Sequence, residues 1–335
     1  MKAGRLVPLL AVVSVMVSAC GGAGDGGSGS SEQTTRLRTT AAQSSTTTAP
    51  VPSSTSTTAT APPAPTLYEP PPTEPEGELK ATAARFVETL GTFGPGGGAV
   101  EAAANRLEAA GFDRGLAAQA LGIISGADSS SAEIVYPQLG GLTGSEASVM
   151  VIVSLERRAA GGGVESVSRT VDVRLRRGGT WTVTAVASDG GGAPAGAVPG
   201  TVAEQVLASD RLTMSDSARW DVAAGRIDPR ILGLVLDLSA VSPLSITVFA
   251  TGHPLNVFGE ASVSNHTRGR GVDIWGVGGA PVLGAGPGSP ARAVADAALA
   301  AGVTELGSPW DLDGPGGPSF TNALHADHLH FAYDQ

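Results

Sequence analysis

Ser264-Asn265-His266-Thr267-Arg268-Gly269-Arg270-Gly271-Val272-Asp273 is the stretch on which the reading of this chain turns. A histidine and an aspartate stand seven positions apart with two glycines between them. Glycines at such positions argue against a helix and permit a tight loop, so His266 is brought beside a ligand on the short strand Val272-Asp273-Ile274-Trp275. A second cluster, His325-Ala326-Asp327-His328-Leu329-His330, lies near the C-terminus. In an extended strand His328 and His330, at i and i+2, share a face. All five histidines of the chain fall after position 250. Imidazole is the commonest ligand of transition metals, and two imidazoles with a carboxylate are a familiar zinc set that leaves a fourth position for water. One of the paired terminal histidines can then bind metal while the other reaches the water or a substrate.

The first stretch resembles the first motif of the LAS metallopeptidases (lysostaphin, D-alanyl-D-alanine metallopeptidases, sonic hedgehog), Ser-x-His-x-x-Gly-x-Ala-x-Asp. It departs only at Gly271, where that motif has alanine. Asp327-His328-Leu329-His330 is similar to the second motif, a ligand histidine with an acid or histidine base just before it. The resemblance covers roughly residues 244–333 and is closest to the D-Ala-D-Ala carboxypeptidase branch. It implies that His266, Asp273 and His330 hold Zn2+ and that Asp327 or His328 is the general base of amide hydrolysis. It also implies a substrate-binding arginine before the first motif, where this chain reads Thr251-Gly252-His253-Pro254. His253 or Arg268 is expected to stand in for it, with Arg270 as another candidate. Ser264 is expected to hold a substrate carboxylate or to support a ligand.

The N-terminus bears on where such chemistry would act. Lys2 and Arg5 precede a short apolar run, residues 6–17, well under the about 20 apolar residues that span a bilayer. Val17-Ser18-Ala19-Cys20-Gly21 then resembles a bacterial lipoprotein signal, which implies cleavage before Cys20 and lipidation of Cys20 as the first residue of the mature protein. Cys20 is the only cysteine, so no intramolecular disulfide can form. The expected location is the extracytoplasmic face of the cell membrane. Net charge is −10 and the basic residues are dispersed, which gives a nucleic-acid partner no electrostatic support.

Residues 21–76 are rich in Gly, Ser, Thr and Pro and have almost no large apolar side chains, so they read as a disordered tether. Residues 77–188 read as a small α+β domain. Leu79, Ala83, Phe86 and Leu90 mark one helix face, and further helical stretches are expected at 100–110 and 114–124, the latter capped by Asp113. Antiparallel strands follow at 149–155, 168–175 and 180–186. This order resembles, weakly, the nuclear-transport-factor-like fold. The region holds no cluster of titratable residues and reads as a spacer or contact module. Residues 189–200 read as a linker.

Residues 201–335 form the second expected α+β domain, LAS- or hedgehog-like, with helices at 202–207, 215–224, 229–238 and 291–301 and strands at 244–250, 272–275, 303–306 and 328–333. The whole implies a lipid-anchored zinc peptidase acting on peptidoglycan peptides. The alternative is a non-catalytic, zinc-containing wall- or protein-binding lipoprotein.

Overall fold

The computed structural model describes residues 67–196 and 200–334, so the expected signal sequence, Cys20 and the tether up to residue 66 lie outside the described residues. Leu79, Ala83, Phe86 and Leu90 recur at helical spacing, and α1 (Gly77–Gly91) buries all four completely. α2 (Val100–Ala109) packs beside it through Ala103 and Leu107. The next stretch is not one helix. A 3-10 helix, Arg114–Gln119, is capped by Asp113, which accepts from the Gly115 amide, and only the short α3 (Leu121–Ile124) follows. Tertiary bonds take the backbone at this point: Gly122 donates to Asp189 Oδ2 at 2.6 Å, and its carbonyl accepts from Arg157.

The helices lie against a four-stranded antiparallel meander of β1 (Ser129–Leu142), β2 (Glu146–Arg158), β3 (Val164–Arg177) and β4 (Trp181–Ser188), in that order. Three of these strands are expected from the alternating pattern. β1 is not, because Ser129-Ser130-Ser131, Pro137, Gly140 and Gly141 lack strand propensity. Register shifts between Ile134 and Tyr136, and again between Leu139 and Gly141, also break its alternation.

In the second region Ser215, Asp228 and Ser289 cap their helices by accepting from backbone amides. The elements run α4 (Thr201–Ala208), β5 (Leu212–Met214), α5 (Asp216–Ala223), α6 (Pro229–Val241), β6 (Leu244–Val248), β7 (Gly271–Val277), β8 (Ala280–Pro281), α7 (Pro290–Ala300), β9 (Glu305–Gly307), β10 (Ser319–Phe320) and β11 (Leu329–Ala332). Their sheet has the order β10-β9-β11-β7-β6-β5, with β8 beside β7. The pairs at its two ends are parallel and the central ones antiparallel. The fold is therefore mixed α+β. His328 lies just before β11, one residue outside the strand expected to carry it.

Each region has its own hydrophobic core, one running from Leu79 to Val186 and the other from Ala203 to Phe331. They nevertheless belong to one compact unit. The segment read as a linker is held at its start, where the Gly190 carbonyl accepts from Ser217 Oγ at 2.6 Å. Thr170 Oγ1 donates to the Thr247 carbonyl at 2.8 Å, and Asp216 Oδ2 accepts from the Ser168 amide at 2.7 Å. Among the described residues no helix is long and apolar enough to cross a membrane.

Candidate metal centre

Strand register builds the centre. His330 on β11 stands directly opposite Asp273 on β7, so their side chains leave the sheet on one face. The glycine loop then delivers His266. Gly269 adopts φ 69°, and its amide donates to the His266 carbonyl at 2.9 Å, closing the turn. A Cβ at Gly269 would lie 2.0 Å from the Arg226 carbonyl oxygen, so only glycine fits. Gly271 has a separate reason: a Cβ there would come within 2.9–3.1 Å of the His266 ring. Gly271 is thus the residue that leaves room for this imidazole.

The three groups converge. His266 Nε2 lies 3.1 Å from His330 Nδ1 and 3.1 Å from Asp273 Oδ1, and His330 Nδ1 lies 2.9 Å from Asp273 Oδ1. A tetrahedral ion with bonds of about 2.0–2.1 Å needs ligand atoms about 3.3 Å apart, a few tenths of an ångström wider than this triangle. His253 adds a further nitrogen. One ligand atom each from His253, His266 and Asp273 lie within 4.8 Å of one another, so this group could hold a metal ion. The His253 ring stacks on His266 at 3.9 Å between centroids.

Hydrogen bonds set the tautomers. The Phe249 carbonyl, 2.6 Å from His266 Nδ1, can only accept, so Nδ1 carries a proton and Nε2 is the nitrogen turned toward the centre. The Pro254 carbonyl does the same for His253, 2.8 Å from Nδ1. Asp327 Oδ1 does it for His328, at 2.6 Å, which leaves His328 Nε2 facing Asp273 Oδ2 at 4.0 Å. His330 is reversed, with Nδ1 inward and Nε2 3.7 Å from Glu305 Oε1.

Electrostatics agree with a site built for a cation. Burial pushes the Asp273 carboxyl up, but His266, His328 and His330 outweigh it and hold it well below the usual carboxylate range. Burial would likewise depress His330, yet Asp273 and Glu305 hold its proton so firmly that its pKa rises to about 10. Burial foremost, with His266, drives His253 well below the ordinary imidazole value and keeps it neutral.

The other expected site residues fall into place differently. Ser264 is buried and its Oγ accepts from the His266 amide at 3.2 Å, so it supports the ligand loop. Arg268 is exposed on that loop, and Arg270 donates to the Asp334 carbonyl. Asp327 is wholly buried. Its Oδ2 accepts from Lys80 at 2.5 Å and from the Leu139 amide at 3.2 Å, and its Oδ1 is taken by His328. Burial raises its pKa, but Lys80 and His328 more than reverse this, so it stays ionised. His325 packs beside the rings of His328 and His330, at 5.0 and 5.7 Å.

Sequence reasoning missed Lys80 and Gln138. Gln138, buried on β1, donates from Nε2 to Asp273 Oδ2 at 2.8 Å and accepts from Thr247 Oγ1 at its other end. Lys80 on α1 joins Asp327 to Glu74. No sequence signal could single them out, because each lies more than a hundred positions from the aspartate of the centre that it holds. A cavity of about 660 Å³ opens beside the centre, lined among others by Glu146, Asp172, Arg174, Arg226, His253 and Phe258. His253 alone belongs to both the cavity and the ligand group. The chain matches no protein-family model, no curated protein and no solved structure.

Proposed function

We propose that the chain is a zinc-dependent peptidase of the LAS type, anchored through lipidated Cys20 and acting on peptidoglycan peptides at the outer face of the cell membrane. The observation that carries this reading is the triangle of His266 Nε2, Asp273 Oδ1 and His330 Nδ1, with His328 Nε2 4.0 Å from Asp273 Oδ2 beside it. Two imidazoles and a carboxylate are a donor set that suits zinc and leaves a position open for water. Zinc, when bound, supplies a Lewis acid for a scissile carbonyl and lowers the pKa of water.

This chain's own residues supply the remainder. His328, its Nδ1–H held by Asp327, is oriented to take the proton of the attacking water and return it to the departing amine. Asp327 orients His328 and is not itself the base, because both its oxygens are occupied and its pKa is lowered. The cavity beside His253 is the side from which a peptide would approach, since the other members of the centre are buried.

A second reading is favoured by one specific observation. His253 lies with His266 and Asp273 in a group that could hold a metal ion, and an ion held there by protein ligands alone would be structural. The chain would then be a wall-binding lipoprotein. Incubation of the zinc-loaded full chain with muropeptides, beside its His328→Ala variant, separates the two. Cleavage by the wild type that the variant loses supports the peptidase. Stoichiometric zinc without cleavage supports the binding protein.

A further inference from the structure

The region of residues 77–188 carries none of the expected metal ligands, yet it supplies two of the closest polar contacts to the centre. Gln138 is wholly buried and its amide is used at both ends, by Thr247 and by Asp273. The ionised Asp273 carboxylate can only accept, so Nε2 is the end that meets Oδ2 and Oε1 is left to accept from the Thr247 hydroxyl. That bond turns Oδ1, the oxygen 2.9 Å from His330 and 3.1 Å from His266, into the triangle. On the other flank the Leu139 amide and Lys80 together occupy Asp327 Oδ2, leaving Oδ1 to hold His328. Tyr136, also on β1, stacks on Trp275 at 5.1 Å and 16°, two positions along β7 from Asp273. One bulged strand thus touches the supports of the ligand carboxylate, of the base and of the strand between them.

We infer that Gln138 and Lys80 are positioning residues of the metal centre, and that residues 77–188 are one half of that centre. This rests on the reading that His266, Asp273 and His330 bind a metal. Groups that orient metal ligands typically change affinity by about 10–100-fold when removed. Coupling is reciprocal, so metal that tightens on a properly held Asp273 must also hold β1 more tightly against the centre.

The test uses the full chain, with zinc affinity measured by chelator competition and Co2+ as a visible probe of ligand geometry. Gln138→Leu removes the bond to Asp273 at nearly constant volume. The expected result is an affinity about 10–100-fold weaker and a changed Co2+ absorption spectrum. Ser168→Ala, which trims a contact between the regions away from the centre, is expected to change neither. Hydrogen exchange on the wild type needs no variant: the Leu139 amide is expected to exchange at least about tenfold more slowly with zinc than without. Unchanged affinity and spectrum in Gln138→Leu, or equal Leu139 exchange with and without zinc, overturns the inference and leaves the metal reading intact. A wild-type chain that takes up no zinc overturns both.

Discussion

Lys80 and Asp327, 247 positions apart in sequence, form an ion pair at 2.5 Å with neither side chain exposed. The pair joins the first helix of one region to the approach of the last strand of the other. Breaking a buried pair by removing one partner leaves an uncompensated charge and costs about 3–5 kcal/mol. Lys80→Met should therefore lower the unfolding free energy by about that amount, read from urea denaturation of the full chain. A loss under about 1 kcal/mol, as for exposed pairs, would mean that the pair is not buried.

Gly271 offers a cleaner probe of the centre. Its Cβ would meet His266 Cδ2 at 2.9 Å, and that ring is pinned by the Phe249 carbonyl and by stacking on His253. Gly271→Ala should weaken metal binding by about tenfold or more, because the ligand ring must shift. Chelator competition measures it. An alanine variant that binds as tightly as the wild type would show that the ring does not sit against this backbone.

The proton on His330 competes with metal for Nδ1. With its pKa raised to about 10 in the metal-free chain, uptake near neutral pH must release that proton. Apparent zinc affinity should rise by about tenfold per pH unit between about pH 7 and 9, and calorimetry in buffers of different ionisation enthalpy should show one proton released. The same shift has a stability consequence without metal. A folded pKa above the unfolded one stabilises fully below about pH 6.5, and this contribution disappears as pH rises through about 10. Metal-free chain should therefore lose stability across that window, seen as a falling urea midpoint.

How much of this was legible in the sequence differs by element. The helix face of Leu79, Ala83, Phe86 and Leu90 and the alternating runs of β2, β3 and β4 have clear periods, and local pattern located them. β1 escaped because serines, a proline and two glycines mask it, and its bulges put consecutive residues out of phase. That omission had a price at the site, since Gln138 and the Leu139 amide ride on this strand. The histidine clusters were legible because chemistry-bearing residues of one type were concentrated in short stretches. Their partners were not, as Lys80 and Gln138 are ordinary residues whose role exists only after two distant segments pack. The choice between Asp327 and His328 was likewise open until the contacts of Asp327 were seen.

If the peptidase reading holds, His328→Ala should cut kcat by about 10²–10⁴-fold while zinc content stays at the wild-type level, because the residue faces the centre without lying in the ligand triangle. Rates on muropeptides, each normalised to bound zinc, measure this. Unimpaired turnover in the zinc-loaded variant would assign the base elsewhere.

The central claim is that His266, Asp273 and His330 form a metal site, and the most direct measurement is the metal content of the purified full chain. Elemental analysis after zinc loading and desalting should find one zinc per chain in the wild type and none retained in His266→Ala or His330→Ala. A wild-type chain without stoichiometric metal, or variants that keep the full complement, would contradict it.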